Sequence, residues 1–316
     1  MRTTRRSRQA CKAFDLWHPR TVTLLIFSRT KLVICPSPKF RSLPRRHRLA
    51  VAIAGLCVAI AWPSVTLEDG SIASPGAVGR CADPVAESIA ESLSDGQVRE
   101  IARQVTVRIF SDLGAGSGAI VDRDGDTYTV LTNDHVLDNE ENPAYAVMTA
   151  DGERYDAERL DSTDFGDLDV AVVQFRSDRP YPVVEWGDTR AISVGDRVYA
   201  SGFPNWYFSD DSLTSTRDWG TKAYRLTTGE IGMYSARSLE RGYQLGYTND
   251  IQNGMSGGPV LDASGRLIAI NGRLKYPLLG IDVFKFEDGT QPSVELFQQM
   301  ESLSWAIPSC RIRERF

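Results

Sequence analysis

Histidine is scarce in this sequence, which has three in 316 residues: His18, His47 and His135. The first two lie in an N-terminal segment that we predict to be removed, which leaves His135 as the only imidazole of the mature chain. Histidine is the side chain that most often acts as a general base near neutral pH. Any chemistry of that kind in the folded protein must therefore use His135.

The sequence also lacks a hydrophobic run that would span a bilayer comfortably. Leu49–Trp62 is an uncharged apolar run of about 14 residues that ends at Pro63, whereas a membrane-spanning helix needs about 20. The run directly follows the basic stretch 45–48, an arrangement typical of a secretory signal peptide. We therefore expect no stable membrane span in the mature form.

Small residues at Ala73 and Ala77 suit cleavage by a signal peptidase. We predict a basic leader and signal segment over residues 1–77 and an exported protein, periplasmic or extracellular in a bacterium. A leader of this length is unusual for a signal peptide. Either the true start lies downstream of Met1, or residues 1–44 have another role.

Cysteines are few in the part of the chain that we expect to remain after cleavage. Of five cysteines, Cys81 and Cys310 lie outside the predicted leader. An even pair in an exported protein indicates a disulfide, here between the two ends of the mature chain. Two unpaired thiols are the alternative.

The whole chain has no excess of positive charge. Its net charge is −5 and its pI is about 5.4, which argues against a nucleic-acid partner. The basic residues are concentrated before Leu49, where Asp15 is the only acid. The turn 122–126 is rich in aspartate like a calcium loop, but it lacks the later glutamate of an EF-hand. We predict an exposed β-turn there, and neither a metal nor a cofactor.

A glycine-rich turn around a serine is the most informative stretch of the sequence. In Gly254-Met-Ser256-Gly-Gly-Pro259, the backbone N–H groups of Gly254 and Ser256 are candidates for an oxyanion hole. By itself the motif also fits the nucleophile turn of an α/β-hydrolase, or a turn without chemistry. In α/β-hydrolases the histidine follows the serine, and here His135 precedes it, so that order is excluded.

Two apolar strands provide the candidate partners of Ser256. His135 follows the run Tyr128–Leu131, which predicts a strand that ends in a turn. Asp169 begins the run Asp169–Phe175, which is typical of a buried strand. Asp167, two residues earlier, is the rival carboxylate. We prefer Asp169 because it borders the apolar run directly.

The distribution of predicted strands indicates an all-β fold. Short strands alternate with turns from Tyr145 to Gln174, and no room is left for parallel βαβ units. A helical lead-in is predicted over residues 78–103, followed by a first strand over 104–110. We expect a second barrel to start near Ile192 and end near Val283, and a closing helix to lie over residues 294–303.

The ordered motifs resemble those of chymotrypsin-clan serine proteases, and most of all the bacterial trypsin-like and high-temperature-requirement proteases. The resembling segments are Thr132–Val136, Asp169–Val173 and Val194–Pro204, together with the serine turn. The resemblance implies two antiparallel six-stranded β-barrels, over residues 104–191 and 192–316, with a C-terminal helix in the second. It also implies His135, Asp169 and Ser256 as a catalytic triad acting on a protein or peptide substrate.

The resemblance suggests substrate contacts as well. The strand edge at Ile270, Asn271 and Gly272 is expected to pair with an extended substrate. Asp250 stands six positions before Ser256, the offset of the carboxylate in the specificity pocket of trypsin, although a turn-capping role is the alternative. Met255 departs from the family, which usually has a polar residue there, so locking of the site through that side chain is not expected.

Two functions from different classes fit these residues. One is a serine endopeptidase, and the other is a trypsin-fold module that binds peptides or partners without turnover. The aromatic stretch Asn205–Thr221 fits a substrate wall, a partner site or a surface loop equally well. The sequence makes no prediction about the oligomeric state.

Overall fold

The structure is a computed structural model that describes residues 93–112, 114–137, 144–209 and 211–316, all within one compact unit. The predicted leader (1–77), Cys81 and the start of the helical lead-in lie outside the described residues. Within these ranges, no helix is long and apolar enough to cross a membrane.

The first described element is helix α1, Asp95–Val105. Ser94 caps its N-terminus in a capping box, because the Ser94 and Gln97 side chains each bond the other's backbone N–H. The helix buries Val98, Ala102 and Val105. The predicted first strand therefore starts at Thr106 rather than at residue 104, since the last turn of α1 includes the intervening residues.

Six antiparallel strands close the first barrel in the order β1-β2-β3-β6-β5-β4. Their bounds are β1 Thr106–Phe110, β2 Ala115–Asp124, β3 Thr127–Thr132, β4 Tyr145–Met148, β5 Arg154–Arg159 and β6 Ala171–Arg176. Strands β2 and β3 form a hairpin whose turn, around Gly125, is exposed as predicted.

Six further strands close the second barrel in the order β10-β11-β14-β13-β12-β7. They are β7 Arg197–Gly202, β10 Arg225–Tyr234, β11 Leu245–Tyr247, β12 Pro259–Leu261, β13 Leu267–Arg273 and β14 Ser304–Pro308. The predicted fold of two six-stranded antiparallel barrels is thus confirmed. The predicted end of the second barrel near Val283 is wrong, because the barrel also includes the buried strand β14, which lies between β11 and β13.

The remaining elements lie outside the two barrels. Strands β8, Trp206–Ser209, and β9, Ser212–Ser215, form a separate two-stranded hairpin. Helix α2, Val294–Met300, has Ser293 as its N-cap and ends three residues before the predicted closing helix does. A short helix α3, Ser309–Arg313, follows β14.

Each barrel has its own apolar core, and a further core lies between them. Val107, Ile120 and Val130 are among the core residues of the first barrel, and Ala200 and Ile231 are among those of the second. The further core joins α1 to strands of both barrels and to Trp305 of β14. The two barrels therefore pack as one body, and a site can draw side chains from both of them.

Candidate active site

His135 and Asp169 are brought together by two neighbouring strands of the first barrel. His135 lies in a single 3-10 turn just after β3, and Asp169 lies two residues before β6, which pairs with β3. The Nδ1 atom of His135 is 2.7 Å from Asp169 Oδ2, and the His135 backbone N–H donates to Asp169 Oδ1 at 3.0 Å. Two contacts from one residue fix the ring relative to the carboxylate.

Asp167, the rival carboxylate, is exposed, whereas the Asp169 side chain is only 3% exposed. Burial alone would raise the pKa of Asp169, but the hydrogen bonds and charge of His135 and the hydroxyl of Tyr243 outweigh it and lower the pKa. Asp169 therefore remains ionised at neutral pH, in the state that holds a protonated imidazole best.

Two residues of the second barrel complete the contacts of Asp169, and sequence reasoning missed both. The Tyr243 hydroxyl donates to Asp169 Oδ2, and the Arg241 guanidinium lies 2.9 Å from Asp169 Oδ1. With the two contacts from His135, four donors converge on this carboxylate. Tyr243 is buried, and that burial raises the pKa of its hydroxyl well above the ordinary value. Tyr243 thus stays a hydrogen-bond donor.

The reach of Tyr243 depends on the absence of a side chain at Gly272. A Cβ atom at that position would lie 2.1 Å from the Tyr243 hydroxyl oxygen. The Arg273 guanidinium packs over the Tyr243 ring, 4.4 Å from its centre. Gly272 therefore leaves room for Tyr243 of the second barrel to approach the Asp169 carboxylate of the first barrel.

Arg241 approaches Asp169 through a backbone conformation that is rare for a residue with a side chain. Its φ angle is 66°, in the left-handed region. Its carbonyl accepts the Asp169 N–H at 2.9 Å, and its guanidinium also lies 2.9 Å from Asp134. A strained residue held by contacts on both its backbone and its side chain is a feature often found at functional sites.

Ser256 lies in the turn before β12 and is fixed against the first barrel. Its carbonyl accepts the Ser117 N–H at 2.9 Å, and the Ser117 hydroxyl donates to the Gly254 carbonyl at 2.7 Å. On the second barrel, the N–H of Gly257 donates to the Asn271 carbonyl at 2.9 Å. The position of the Ser256 backbone is thus set from both barrels.

The peptide bond between Asn253 and Gly254 is oriented by Asn205. The Asn205 N–H donates to the Asn253 carbonyl at 2.8 Å. In a trans peptide the carbonyl and the following N–H point in opposite directions, so the Gly254 N–H points away from Asn205. Gly254 has a φ of 98°, and a Cβ there would lie 2.6 Å from the Asn205 nitrogen. Only glycine fits this position without displacing Asn205.

A cleft of about 330 Å³ joins these residues at the boundary of the barrels. Its walls include His135, Gly254, Ser256 and Asn205, together with residues of the β1–β2 turn. The candidate nucleophile, base and oxyanion donors thus share one cavity. Among the described residues, no group of histidine, cysteine or acidic side chains is arranged to hold a metal ion.

The predicted substrate edge needs correction at two of its three residues. Ile270 and Asn271 are buried, and both are hydrogen-bonded within the barrel, toward β12 on one side and toward β14 on the other. The β13–β14 register shifts between Asn271 and Arg273. Among the described residues, pairing on the β12 side ends at Asn271, so the open part of this strand edge begins at Gly272.

The predicted pocket carboxylate is also in a different environment. The Asp250 side chain is 68% exposed, and it forms an ion pair with Lys275 at 3.2 Å. The preceding residue, Asn249, is buried and donates to the Thr227 carbonyl at 2.8 Å, so Asp250 points outward as its neighbour points inward. An exposed, paired carboxylate is not the buried one that the specificity prediction required.

Met255 is part of the second-barrel core. Its side chain is buried beside Gly202, where a Cβ would lie 2.8 Å from that of Met255. The serine turn is therefore held by apolar packing at the position where the resembling family usually has a polar residue.

Comparison with known proteins gives matches in the same region. The trypsin-like peptidase domain family matches residues 116–270. The chain is 28% identical to the periplasmic serine endoprotease DegP of Escherichia coli (strain K12), over 52% of this chain and 31% of that protein. It is 31% identical to a probable periplasmic serine endoprotease DegP-like of Brucella suis biovar 1 (strain 1330), over 51% of this chain and 28% of that protein.

A relative from Xenopus laevis has a similar level of identity. The serine protease HTRA1 of Xenopus laevis is 29% identical, over 50% of this chain and 31% of that protein. This chain thus covers less than a third of the length of each of these three relatives.

Proposed function

We propose that this chain, which belongs to the trypsin clan of serine proteases and is related to the high-temperature-requirement proteases, is a serine endopeptidase acting on protein or peptide chains. The observation that carries the proposal is the 2.7 Å contact between His135 Nδ1 and Asp169 beside a cleft that also contains Ser256. A fluorophosphonate probe tests it directly, because the probe labels a serine only where a base and oxyanion donors activate it.

In the proposed reaction, Ser256 Oγ attacks the carbonyl carbon of the scissile bond and His135 accepts the hydroxyl proton. The N–H groups of Gly254 and Ser256 stabilise the oxygen that becomes negative. His135 then donates its proton to the leaving amine, and an acyl-enzyme remains. Water repeats these steps with His135 as the base, which releases the acid and restores Ser256.

Asp169 orients the imidazole and stabilises its charge when the ring is protonated. Its four donors support this role, since they leave the carboxylate little freedom to rotate. Arg241 and Tyr243 act as positioning residues in this scheme. Because both belong to the second barrel, they tie the acid of the first barrel to the barrel that supplies the serine.

The rate should depend on pH through the imidazole. Because the pKa of Asp169 is lowered, its carboxylate stays ionised between about pH 5 and 8 and does not contribute to the pH dependence there. Only the neutral ring can accept the Ser256 proton, and we therefore expect kcat/KM to rise across this interval. Initial rates on one peptide amide, measured in buffers of constant ionic strength, would check this. A flat profile would contradict a histidine base.

Export of the chain to the bacterial periplasm is part of the proposal. Its support is the leader sequence and the similarity to the periplasmic endoprotease of Escherichia coli and the probable periplasmic endoprotease of Brucella suis. A disulfide between Cys81 and Cys310 would suit that compartment. The supporting observation is that Cys310 takes part in a disulfide, while the other four cysteines lie outside the described residues.

The pairing of Cys81 with Cys310 predicts the thiol content of the mature protein. Protein denatured without reductant should show no free thiol, and reduction should lower its thermal midpoint. Chain entropy alone makes a closed loop of this length worth about 5 kcal/mol. Thiol titration before and after reduction, with Cys81→Ser as the control, measures both. Two titratable thiols in protein secreted to the periplasm would contradict the bridge.

A further inference from the structure

The hairpin β8–β9 exposes a concentration of large apolar side chains beside the cleft. Trp206, Tyr207, Phe208 and Leu213 are all exposed, and Phe208 is 69% exposed. Phe208 and Leu213 are directly paired across the two strands, so they lie on the same face of the hairpin. Tyr207 lies on the opposite face, 5.3 Å from the Trp219 ring. Exposed apolar surface of this kind commonly marks a binding site.

The base of the hairpin is held by a buried arginine. Arg108 of β1 is fully buried, and its guanidinium donates to the Thr216 carbonyl at 2.8 Å and approaches Asn205 Oδ1 at 3.4 Å. Burial lowers the pKa of Arg108 to about 10, so the group remains charged at neutral pH. Thr216 N–H in turn donates to the Asn205 carbonyl at 3.0 Å. The hairpin thus emerges from a fixed base.

Both ends of the hairpin segment are attached to the wall of the catalytic cleft. Asn205 Nδ2 donates to the Ala115 carbonyl at 2.7 Å, and the Arg217 guanidinium donates to the carbonyls of Gly114 and Ser111 at 3.1 Å. Asn205, Ala115, Gly114 and Ser111 all line the cleft that contains Ser256. The hairpin is therefore a continuation of that wall.

This wall lies on the leaving-group side of the scissile bond. His135 must protonate the leaving amine, and the cleft is lined by His135, Val136 and the β1–β2 turn. The open strand edge that begins at Gly272 does not line it. If the acyl part of the substrate lies along that edge, the residues beyond the scissile bond must extend from Ser256 through this cleft toward the hairpin.

A small hollow at the hairpin is suited to one side chain. It measures about 110 Å³, and its walls include Trp206, Tyr207, Phe208, Ala223 and Gln252. Sites for whole ligands usually run from roughly 300 Å³ upward. Gln252 and Pro204, which also line it, are the chain neighbours of the cleft residues Asn253 and Asn205.

We propose that the hairpin β8–β9 is a subsite that binds a large apolar side chain on the leaving-group side of a peptide substrate. The proposal rests on the proposed endopeptidase function and specifies its substrate. Its occupant is the substrate, because the apolar face continues the catalytic wall through Asn205 and Arg217. A second copy of this chain is the competing occupant.

Three substrates with the same acyl sequence test the subsite. One is a peptide p-nitroanilide, which has no residues beyond the scissile bond, and two are internally quenched peptides extended by either phenylalanine or serine residues. The wild-type enzyme should prefer the phenylalanine peptide to the serine peptide by about tenfold, the discrimination expected when one apolar side chain is bound. Enzyme concentrations are set by fluorophosphonate titration.

The double variant Phe208→Ser/Leu213→Ser should remove this preference, because it strips one face of the hairpin. Val194→Ser is the matched control, since Val194 is 67% exposed and lies in the turn before β7. The control should keep the tenfold preference. A double variant that keeps the preference too would overturn the proposal.

Sedimentation of the same proteins distinguishes the competing occupant. A double variant that changes only the oligomeric state, with the preference intact, would show that a second copy covers the hairpin and would overturn the subsite. Hydrolysis of all three substrates without any preference would overturn it while leaving the proposed function in place. A wild-type protein that cleaves none of the substrates would refute the proposed function, and the subsite with it.

Discussion

Ser256→Ala should reduce peptide hydrolysis by about 1,000-fold or more while the fold stays intact. Loss of the nucleophile removes the acyl-enzyme route and leaves only what binding and the oxyanion donors contribute. The backbone of Ser256 is fixed through its carbonyl by the Ser117 N–H, and removal of the side-chain hydroxyl leaves that hydrogen bond in place. Casein and peptide hydrolysis, together with fluorophosphonate labelling, would measure the loss.

Ser264→Ala is a suitable control for that variant. Ser264 is a half-buried serine in the turn between β12 and β13, outside the cleft. It should keep full activity and full labelling, and both variants should melt at the wild-type temperature. Undiminished proteolysis by a Ser256→Ala preparation free of other proteases would refute the assignment of the nucleophile.

Asp169→Asn should lower kcat by about 10,000-fold, the size of the effect that this change has in a serine triad. The carboxylate accepts from four donors, and an amide has only one oxygen with which to accept. Its nitrogen would donate to His135 Nδ1, which would move the ring proton to the nitrogen that must act as base. Steady-state kinetics should show the loss in kcat rather than in KM.

Asp167→Asn provides the matched control, since it makes the same change in an exposed residue two positions away. It should leave kcat within twofold of wild type. Tyr243→Phe removes one of the four donors and should lower kcat by an intermediate factor of about 10. An active Asp169→Asn enzyme beside an inactive Asp167→Asn enzyme would reverse the assignment of the acid.

The sequence indicated where the candidate residues lie because each borders a simple pattern. His135 follows a strand of alternating and β-branched residues, and Asp169 precedes an unbroken apolar run, so both positions could be predicted from local periodicity. The glycines around Ser256 predicted a tight turn for the same reason. The two barrels followed from the resemblance, and their strands match it.

Contacts between distant segments could not be predicted from these local patterns. Tyr243 and Arg241 reach Asp169 across about 70 residues of sequence, and no motif surrounds them. Ile270 and Asn271 were expected at an open edge because the sequence does not reveal that the segment Gly257–Pro259 pairs with β13 as far as Asn271. Strand β14 was also missed, since Ser304–Pro308 is short, ends in proline and follows a helix.

The place of β14 has a consequence for the order of events during synthesis. This strand lies between β11 and β13, and it is made after the serine turn and after helix α2. The second barrel cannot close until residues up to Pro308 have emerged, and the edge at Gly272 and the Tyr243 contact depend on that barrel. A nascent chain that already contains Ser256 therefore still lacks the assembled site, so the proposed proteolytic activity can begin only once the chain has been made as far as β14.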